Sequence, residues 1–417
     1  MSLQNKRILL GVTGGIAAYK SPDIVRRMRD LGAEVRVVMT QSAQAFIGAL
    51  SLQAVSGHRV HTDLLDEDAE AAMGHIELAR WADAIVIAPA TADTLSRLAV
   101  GAADDLLATL IRASTAPVLI SPAMNQAMWS DERTQTNVSE LKQKRYHFFG
   151  PASGSQACGD TGQGRMEEPQ AIAEAVSRLF ESGLLDQRHV VITAGPTREG
   201  IDPVRYISNH STGKMGFAIA EAAAEAGARV TLVAGPVSLA TPERVQRIDV
   251  ITADDMYAEV QRAVDKDSIF IATAAVADFK AARVSEQKIK KQKDQQTMTI
   301  ELAKNVDILA SVATADDRPA FVVGFAAESE NLEDNARKKL LAKQLDMIVA
   351  NDISRDDIGF AVDLNEVTVL SRDSSAPTAP SSERWDKCSK GQIARKLVAA
   401  IAERTAGCDA ALKTAAS

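Results

Sequence analysis

The sequence of 417 residues contains only three cysteines, Cys158, Cys388 and Cys408, and they are widely scattered. Such a set excludes the disulfide framework of small secreted proteins, and it contains no C-x-x-C metal motif. Scattered cysteines are typical of proteins in a reducing compartment, so we expect a cytoplasmic location.

Long apolar runs and an excess of positive charge are also missing. No apolar run approaches the roughly 20 residues that a membrane-spanning helix needs. The run that begins at Arg7 is short and ends in glycines, which predicts a strand and not a signal peptide. The formal net charge of −8 argues against nucleic acid and anionic membranes as partners.

What the chain does contain is a regular alternation of strand-like and helix-like segments. Apolar runs such as those that begin at Arg7 and Ala84 predict strands, and stretches with helical periodicity separate them. The alternation restarts at residues 190–197, "VVITAGPT". Because this pattern gives parallel sheets covered on both faces, we predict an α/β protein with two Rossmann-like three-layer domains, 1–187 and 188–417.

Two segments show neither periodicity. Residues 150–166, "GPASGSQACGDTGQGRM", carry five glycines around Cys158 and predict a mobile loop. Residues 372–383, "RDSSAPTAPSSE", are rich in Ser, Pro and Ala and predict an exposed connection.

Gly14 and Gly15 lie between the first predicted strand and the first predicted helix. Open α/β sheets bind ligands at the carboxyl ends of their strands, and a helix N-terminus offers free N–H groups to phosphate. The spacing is not G-x-G-x-x-G, so it favours a mononucleotide phosphate over a dinucleotide. A tight turn without a ligand is the alternative.

Two later strands end in small polar segments that would lie at the same edge. "APATADT" supplies Pro89, Thr91 and Asp93, and "SPAMN" supplies Met124 and Asn125. Beside a phosphate site they would form a cradle for a planar ring, and an ordinary set of turns is the alternative.

These motifs occur together and in order: "GVTGGIAAYK", the segment with His75, "APATADT", "PAMN" and "ACGDTGQGRM". A single histidine such as His75 is more often a solvent-facing residue than a catalyst. The set as a whole, however, resembles the flavin-dependent cysteine decarboxylase family, and the Cys158 segment resembles that of phosphopantothenoylcysteine decarboxylases. The resemblance implies a flavodoxin-like domain that binds FMN.

The resemblance also implies roles for single residues. His75 and Asn125 would act at the substrate carboxylate, and Cys158 would be the proton donor on a loop that covers the substrate. Arg165 would meet a substrate anion, and Met166 would cap the pocket. The implied FMN contacts are Gly14, Gly15, Thr40, Ser42, Pro89, Thr91 and Met124. Asp93 departs from the pattern, because the family more often has an amide there.

A flavin suits this chemistry. Loss of CO₂ from an acylated cysteine leaves a carbanion without an electron sink. A flavin that first takes a hydride leaves a thioaldehyde, which accepts those electrons. The hydride is later returned while an acid supplies a proton.

The second half repeats the arrangement of strand, polar loop and helix. The loop after "TAGPT" is dense in hydrogen-bond donors, which suits a phosphorylated substrate, although a solvated loop is the alternative. These donors are Arg198, Arg205, Asn209, Ser211, Thr212 and Lys214. The stretch resembles the phosphopantothenate–cysteine ligase family, which implies that Asn209 contacts an acyl-cytidylate and that Arg205 lies on the substrate side.

The segment "ATAAVADFKAARVSEQKIKKQK" ends a predicted strand and then becomes basic. A charge run is usually a solvated face. The resemblance instead places Lys288 at the nucleotide, where it would stabilise negative charge as pyrophosphate departs. The other implied CTP contacts are Thr273, Ala274, Asp278, Val306, Asp307, Ile308, Leu309, Phe325, Lys339 and Lys343. Mg²⁺ would neutralise phosphate charge, with ligands that the sequence does not identify.

The resemblance covers residues 5–404 and implies a bifunctional enzyme of coenzyme A biosynthesis. The second domain would join 4′-phosphopantothenate to L-cysteine with CTP, and the first would decarboxylate the product to 4′-phosphopantetheine. The family's oligomers imply trimeric flavin domains and dimeric ligase domains. The choice of CTP over ATP rests wholly on the resemblance.

Two other classes of protein remain open at this stage. A flavodoxin-like fold also serves flavin storage and electron transfer, since a fold does not determine a function. A non-catalytic regulatory subunit is the second alternative. His75, Asn125 and Cys158 argue against both.

Overall fold

The computed structural model describes a chain that divides into two compact units, Met1–Glu181 and Ser182–Ser417. The predicted boundary at residue 187 falls among the first residues of the second unit. The assignment of one activity to each side of that boundary stays a prediction. The residues described are 3–64, 74–290, 297–328, 330–352, 362–373 and 376–415.

The first unit is built on a parallel sheet of five strands. Its order is β2–β1–β3–β4–β5, which is the 2-1-3-4-5 order of flavodoxin-like folds. The flavodoxin-like fold predicted for this half is therefore confirmed. The strands of the unit are β1 (Arg7–Val12), β2 (Glu34–Met39), β3 (Ala84–Ala90), β4 (Val118–Pro122), β5 (Tyr146–Phe148), β6 (Ala152–Ser155) and β7 (Thr161–Arg165).

Helices cover both faces of this sheet. Ile8 and Leu10 of β1 pack into one apolar cluster and Leu9 into another, because successive strand side chains point to opposite faces. The helices are α1 (Ser21–Asp30), α2 (Ala49–Ser56), α3 (His75–Trp81), α4 (Ala92–Val100), α5 (Leu106–Ala113), α6 (Gln126–Ser130), α7 (Glu132–Lys142) and α8 (Pro169–Arg178), with short 3₁₀ helices at Ile16–Lys20 and Gln41–Ala45.

The segment predicted as a loop, 150–166, is an antiparallel hairpin of β6 and β7. The prediction was wrong because a strand is recognised in a sequence by alternating apolar and polar side chains, and the glycines of this segment have no side chains to alternate. Gly164 has φ +144°, and a Cβ there would lie 2.3 Å from the carbonyl oxygen of Met124. The hairpin therefore needs glycine to approach the neighbouring backbone.

The second unit has a sheet of eight strands in the order β12–β11–β8–β13–β16–β17–β18–β19. The first six in this order are parallel and follow the 3-2-1-4-5-6 order of the Rossmann fold, as predicted. The strands are β8 (His189–Ala194), β9 (Arg198–Gly200), β10 (Tyr206–Ser208), β11 (Arg229–Ala234), β12 (Val245–Asp249), β13 (Ile269–Ala272), β14 (Phe279–Ala281), β15 (Leu302–Lys304), β16 (Phe321–Glu328), β17 (Met347–Asp352), β18 (Leu364–Asp373) and β19 (Ala376–Ser389).

This sheet is also the middle layer of three. Val190 and Ile192 of β8 pack into one apolar cluster and Val191 into a second cluster on the other face. The helices are α9 (Lys214–Glu225), α10 (Ala253–Ala263), α11 (Ile308–Ala313), α12 (Leu332–Ala342) and α13 (Lys390–Ala415). Within the ranges described, none of the helices of either unit is long and apolar enough to cross a membrane.

The second segment predicted as irregular, 372–383, instead contributes to two antiparallel strands, β18 and β19. This prediction was wrong because serine and proline usually interrupt strands. Here β19 is the last strand of the sheet, and an edge strand tolerates a residue such as Pro380 that cannot donate to a ladder. Trp385, only 7% exposed, ties β19 to the core.

Candidate active sites

The predicted residues of the first unit follow the carboxyl ends of its strands. The turn with Gly14 and Gly15 follows β1, Thr40 follows β2, Thr91 follows β3, and Asn125 follows β4 shortly afterwards. The carboxyl ends of parallel strands meet at one edge, and β1 and β3 flank the point where the strand order reverses. The sheet thus collects these residues at the position where flavodoxin-like folds bind a ligand.

Close contacts shape the turn after β1. A Cβ on Gly14 would lie 2.5 Å from both Cβ and Oγ of Ser42, so only glycine fits. Ser42 Oγ lies 3.1 Å from Thr40 Oγ1, which also accepts a hydrogen bond from Ala43 N. Gly15 lies beside Thr91, whose methyl carbon would be 3.9 Å from an added Cβ. Ser42 therefore lies against Gly14, and the Thr91 side chain lies beside Gly15.

Thr13 ties β1 to β3 at this edge. Its Oγ1 donates to Pro89 O at 2.7 Å and accepts from Thr91 N at 3.2 Å. Thr91 in turn caps α4, because its Oγ1 accepts from Thr94 N. Pro89 and Thr91 are thus fixed by hydrogen bonds, which preorganises this part of the candidate site.

Cys158, Asn125 and Asp160 form one hydrogen-bonded cluster. Asn125 Nδ2 donates to Asp160 Oδ2 at 2.8 Å and to Cys158 Sγ at 3.2 Å. The exposed thiol donates to the same carboxylate oxygen over 3.4 Å. Asn125 Oδ1 accepts from Ala127 N at 2.8 Å, which fixes the amide orientation. The structure thereby joins the predicted proton donor to a residue predicted to bind the substrate carboxylate.

The hairpin that carries Cys158 is fastened to the segment after β4. Met124 N donates to Gly164 O at 3.0 Å, and Gln126 N donates to the Gln156 side chain at 3.0 Å. A third contact joins Trp129 Nε1 to the Gln163 side chain at 3.2 Å. These contacts position the turn with Cys158 next to the end of β4.

His75 and Asp93 are two other predicted residues of the first unit. His75 is the half-buried first residue of α3, and residues 65–73 before it lie outside the described part. Because α3 leads into the amino end of β3, its first residue lies toward the carboxyl edge of the sheet. Asp93, where the resemblance leads us to expect an amide, is 74% exposed at the side chain and pairs with Arg97 at 2.9 Å.

Arg165 and Met166 follow the hairpin but differ in exposure. Arg165 lies 3.5 Å from Glu168, whose pKa is held below its ordinary value by a hydrogen bond from Lys20. Met166 is only 2% exposed and packs in the apolar core. Met166 is thus part of the core of the first unit, and its role at the pocket stays a prediction.

The second unit has its cavity where the strand order reverses, between β8 and β13. Thr273 Oγ1 donates to Thr193 O at 2.6 Å, and Ala275 N donates to Gly195 O at 2.9 Å. The cavity measures about 600 Å³, which suits a nucleotide-sized ligand. Of the predicted residues it is lined by Asn209, Ser211, Thr212, Lys214, Thr273, Ala274, Asp278, Val306, Asp307, Ile308, Leu309, Phe325 and Lys343.

Backbone contacts shape the wall made by the loop before α9. Asn209 Nδ2 donates to Ala275 O at 3.0 Å and to Val276 O at 3.2 Å. Gly213, with φ +77°, caps α9 without a side-chain hydrogen bond. A Cβ on Gly216 would lie 2.4 Å from Thr273 Oγ1. The first turn of α9 is thus packed closely against the end of β13.

Two lysines predicted to contact the nucleotide make ion pairs in the structure. Lys343 lies 2.7 Å from Asp307, and Lys339 lies 2.6 Å from Glu328. Burial would raise the pKa of Asp307, but hydrogen bonds from Lys343 and from the backbone of α11 hold it below its ordinary value. Lys343 lines the cavity, whereas Lys339 is not among its lining residues.

Lys288 and Arg205 lie outside the cavity lining. Arg205 pairs with Asp202 at 3.1 Å and donates to Ile289 O at 2.7 Å. Asp202 also accepts from Ile289 N, so the segment with the exposed Lys288 is anchored to the loop before α9. That segment leads into residues 291–296, which lie outside the described part.

Sequence reasoning missed two charged residues at these sites. Asp160 stands two positions after Cys158, so its proximity was readable from the sequence. Lys390 lines the second cavity from the start of α13, and no local pattern marks it. In the part of the chain that the structure describes, no group of three His, Cys, Asp or Glu side chains is arranged to hold a metal.

Comparison with known proteins gives matches along the chain. The Flavoprotein family model matches residues 1–181, and that of the DNA/pantothenate metabolism flavoprotein C-terminal domain matches residues 185–405. The chain is 55% identical over 375 residues to the coenzyme A biosynthesis bifunctional protein CoaBC of Escherichia coli (strain K12). The aligned residues cover 89% of this chain and 92% of the relative.

A second CoaBC, from Haemophilus influenzae, is 50% identical over 405 residues, which are 97% of this chain and 99% of the relative. Among solved structures, the C-terminal domain of a CoaBC is 38% identical with a TM-score of 0.44. It covers 54% of this chain and 98% of that domain.

Proposed function

The chain belongs to the family of bifunctional coenzyme A biosynthesis proteins, and on this premise we propose how its residues serve the two reactions. It is both a phosphopantothenate–cysteine ligase and a phosphopantothenoylcysteine decarboxylase. We propose that the second unit carries out ligation and the first unit carries out decarboxylation.

In the ligation, 4′-phosphopantothenate attacks CTP, pyrophosphate leaves, and L-cysteine then displaces CMP from the acyl-cytidylate. The cavity at the end of β8 and β13 supports a nucleotide site, because Lys343 and Lys214 line it together with the first turn of α9. Asn209 would contact the acyl-cytidylate. Lys288 would stabilise charge on the departing pyrophosphate, which requires its segment to approach the cavity.

The proposal for this half includes Mg²⁺. This ion keeps most of its waters and binds chiefly through substrate phosphates, with one or two protein carboxylates. Asp278 and Asp307 line the cavity and are the acidic side chains available there. CTP as the nucleotide belongs to the same proposal, and competition with ATP tests it.

In the decarboxylation, the residues at the carboxyl edge of the first unit fit FMN. Gly14 lets the turn after β1 approach Ser42 closely, and the hydroxyls of Thr40, Ser42 and Thr91 suit a phosphate. When bound there, FMN supplies reversible hydride transfer. We propose that Asn125 and His75 hold the substrate carboxylate and that Cys158 Sγ donates the final proton.

The observation that carries the decarboxylase assignment is the contact between Asn125 and Cys158 on separate segments. Their contact puts a substrate-binding amide and a thiol acid in one place, which neither flavin storage nor a regulatory role requires. A homo-oligomer with trimeric flavin domains and dimeric ligase domains, and a cytoplasmic location, complete the proposal.

The test is product analysis by mass spectrometry. The purified chain is mixed with 4′-phosphopantothenate, L-cysteine, CTP and Mg²⁺, and its flavin absorbance is recorded. We expect 4′-phosphopantetheine, CMP and pyrophosphate. Accumulation of phosphopantothenoylcysteine would refute the proposal for the first unit, and no reaction in a folded, flavin-loaded sample would refute both.

A further inference from the structure

Asp202 is a buried carboxylate in a hairpin at the surface of the second unit. It lies in the turn between β9 and β10, and its side chain is 0% exposed although Val204 beside it is exposed. Burial of a carboxylate costs free energy unless hydrogen bonds or an opposite charge compensate for the lost water. The partners of Asp202 therefore show what this residue holds in place.

One oxygen of Asp202 closes its own turn. Oδ1 accepts hydrogen bonds at 2.8 Å from Val204 N and from Arg205 N. Bonds from an aspartate side chain to backbone groups two and three residues later are typical of tight turns. The shape of the turn thus accounts for Oδ1 and leaves Oδ2 for partners elsewhere.

The other oxygen binds a segment 87 residues further along the chain. Oδ2 accepts from Ile289 N at 3.2 Å and lies 3.1 Å from the Arg205 guanidinium. The same guanidinium donates to Ile289 O at 2.7 Å. Burial would raise the pKa of Asp202, but backbone hydrogen bonds and the charge of Arg205 hold it below its ordinary value. A charged carboxylate and its arginine partner therefore hold both backbone groups of Ile289.

A second attachment lies a few residues earlier. Ser285 N donates to Ile201 O at 3.0 Å, and a Cβ on Gly200 would lie 3.8 Å from the Val284 side chain. Residues 284–289 therefore run along the hairpin of β9 and β10. The strand β10 leads directly to Asn209, which lines the cavity.

This attachment has a use beyond stability. Lys288 is exposed and precedes Ile289 directly, and a lysine side chain on an unsupported loop samples many positions. A group that stabilises charge in a transition state must be held in place, because misplacement costs rate. By fixing the residue next to Lys288, Asp202 restricts where the lysine can lie.

We propose that Asp202 is a positioning residue of the ligase reaction, which holds Lys288 beside the hairpin of β9 and β10 by anchoring Ile289. The inference rests on the function proposed above for Lys288 and goes beyond it, because it names the residue that supports the lysine. Asp202 touches no reacting atom and acts only through Lys288.

The variant that separates the two oxygens is Asp202→Asn. Its Oδ1 can still accept from the two backbone N–H groups of the turn, but the amide nitrogen that replaces Oδ2 cannot accept from Ile289 N. Asp267→Asn, which alters an exposed residue in the turn before β13, is the matched control. Lys288→Gln and the double variant of Asp202→Asn with Lys288→Gln complete the set.

The measurement is pyrophosphate release in a single turnover with CTP and 4′-phosphopantothenate, without cysteine. We expect Asp202→Asn to slow release by about tenfold or more with an unchanged half-saturating concentration of CTP, and Asp267→Asn to change neither. The double variant should match Lys288→Gln within about twofold, because the lysine through which Asp202 acts is already gone. A merely structural role would instead make the two effects multiply.

Limited proteolysis gives a readout that needs no turnover. Trypsin should cut after Lys288 several-fold faster in folded Asp202→Asn than in the unchanged chain, because loss of the anchor raises the open population of this segment. Cleavage elsewhere in the second unit should not change, whereas a general loss of stability would speed it. Peptide mapping by mass spectrometry locates the cuts.

Unchanged pyrophosphate release by Asp202→Asn, or effects that multiply in the double variant, would overturn the inference. If Asp202→Asn does not fold, Ile289→Pro removes the same N–H donor and Ile289→Ala keeps it. Only the proline variant should then be slow, and equal rates for the two would also overturn the inference. An unchanged rate for Lys288→Gln would instead refute the role proposed for the lysine, and the inference with it.

Discussion

In each unit the candidate site residues follow the carboxyl ends of the parallel strands, but the two sites differ in how far their residues are buried. In the first unit the candidate proton donor, Cys158, is exposed at the turn of a hairpin and is held by Asn125 and Asp160. In the second unit the candidate groups line a cavity between strand ends, and Lys390 is buried in it. A proton donor needs access to its substrate, whereas a phosphate site gains from low dielectric.

The comparison predicts different kinds of failure. Substitutions in the Cys158 cluster of the first unit should slow one chemical step and leave flavin and substrate binding intact, because the cluster is small and lies on a surface hairpin. Damage to the second site should weaken ligand binding or charge stabilisation, because its groups act through their charge.

The largest effect is expected for Cys158→Ser. Flavin binding and CO₂ release should persist, but formation of 4′-phosphopantetheine should fall by about 10²–10⁴-fold, since serine is a much weaker acid in this role. Mass spectrometry should show an oxidised, decarboxylated product. Cys388→Ser, in the other unit, is the control, and normal product formation by the Cys158 variant would remove this thiol from the mechanism.

Lys288→Gln should produce the next largest effect, in the other unit. Cytidylate formation should slow by about 10²–10³-fold if the lysine stabilises the departing pyrophosphate. Release of pyrophosphate from CTP measures it, while added phosphopantothenoylcysteine should still be decarboxylated. Lys290→Gln is the neighbouring exposed control. An unchanged rate would show that the Lys288 segment stays outside the cavity during catalysis.

Asp160→Asn tests whether the carboxylate of Asp160 positions the Cys158 thiol in the first unit. The asparagine can still accept from Asn125, but the charge that holds the Cys158 thiol is lost. We expect the final reduction to slow by about tenfold, the size of one hydrogen bond to a charged group. Alkylation of Cys158 by iodoacetamide should become faster, because the thiol is no longer held by its hydrogen bond to the carboxylate. Asp30→Asn, at the exposed end of α1, should alter neither rate, and equal alkylation rates would contradict the positioning role.

The parts of these sites that follow apolar strands could be predicted from the sequence. The runs before Gly14, Thr91 and Thr273 end in small or polar residues, and the parallel topology brings such ends together. The hairpin around Cys158 was missed because its glycines leave no side-chain alternation to recognise.

Lys390 could not be found in this way. It reaches the cavity only because β18 and β19 extend the sheet past β17 and return the chain to its start in α13. Its neighbour Lys214 belongs to α9, and Asp363 lies just before β18. The proline and serine residues of β19 also hide the strand that precedes Lys390 from sequence-based prediction. Long-range placement by an edge strand leaves no trace in local composition.

The smallest expected effect is on the free energy of unfolding, which the buried charge of Lys390 should lower. The pKa of Lys390 is about 8 in the folded chain, compared with about 10.4 for an unfolded lysine. Between these values the unfolded state binds more protons, so stability rises with pH there, and the full penalty applies below pH 8. Lys390→Met should therefore raise the melting temperature at neutral pH by about 2–4 °C.

The gain from Lys390→Met should fade as the pH rises from 8 toward the unfolded pKa, where the unchanged chain no longer buries a charge. Thermal unfolding of the ligand-free protein at several pH values measures it, with Lys396→Met as the exposed control. A lower melting temperature for Lys390→Met throughout would mean that the lysine stabilises the fold. A higher one at neutral pH would mean that the second unit keeps a destabilising charge in its cavity, whereas the cluster around Cys158 in the first unit is exposed.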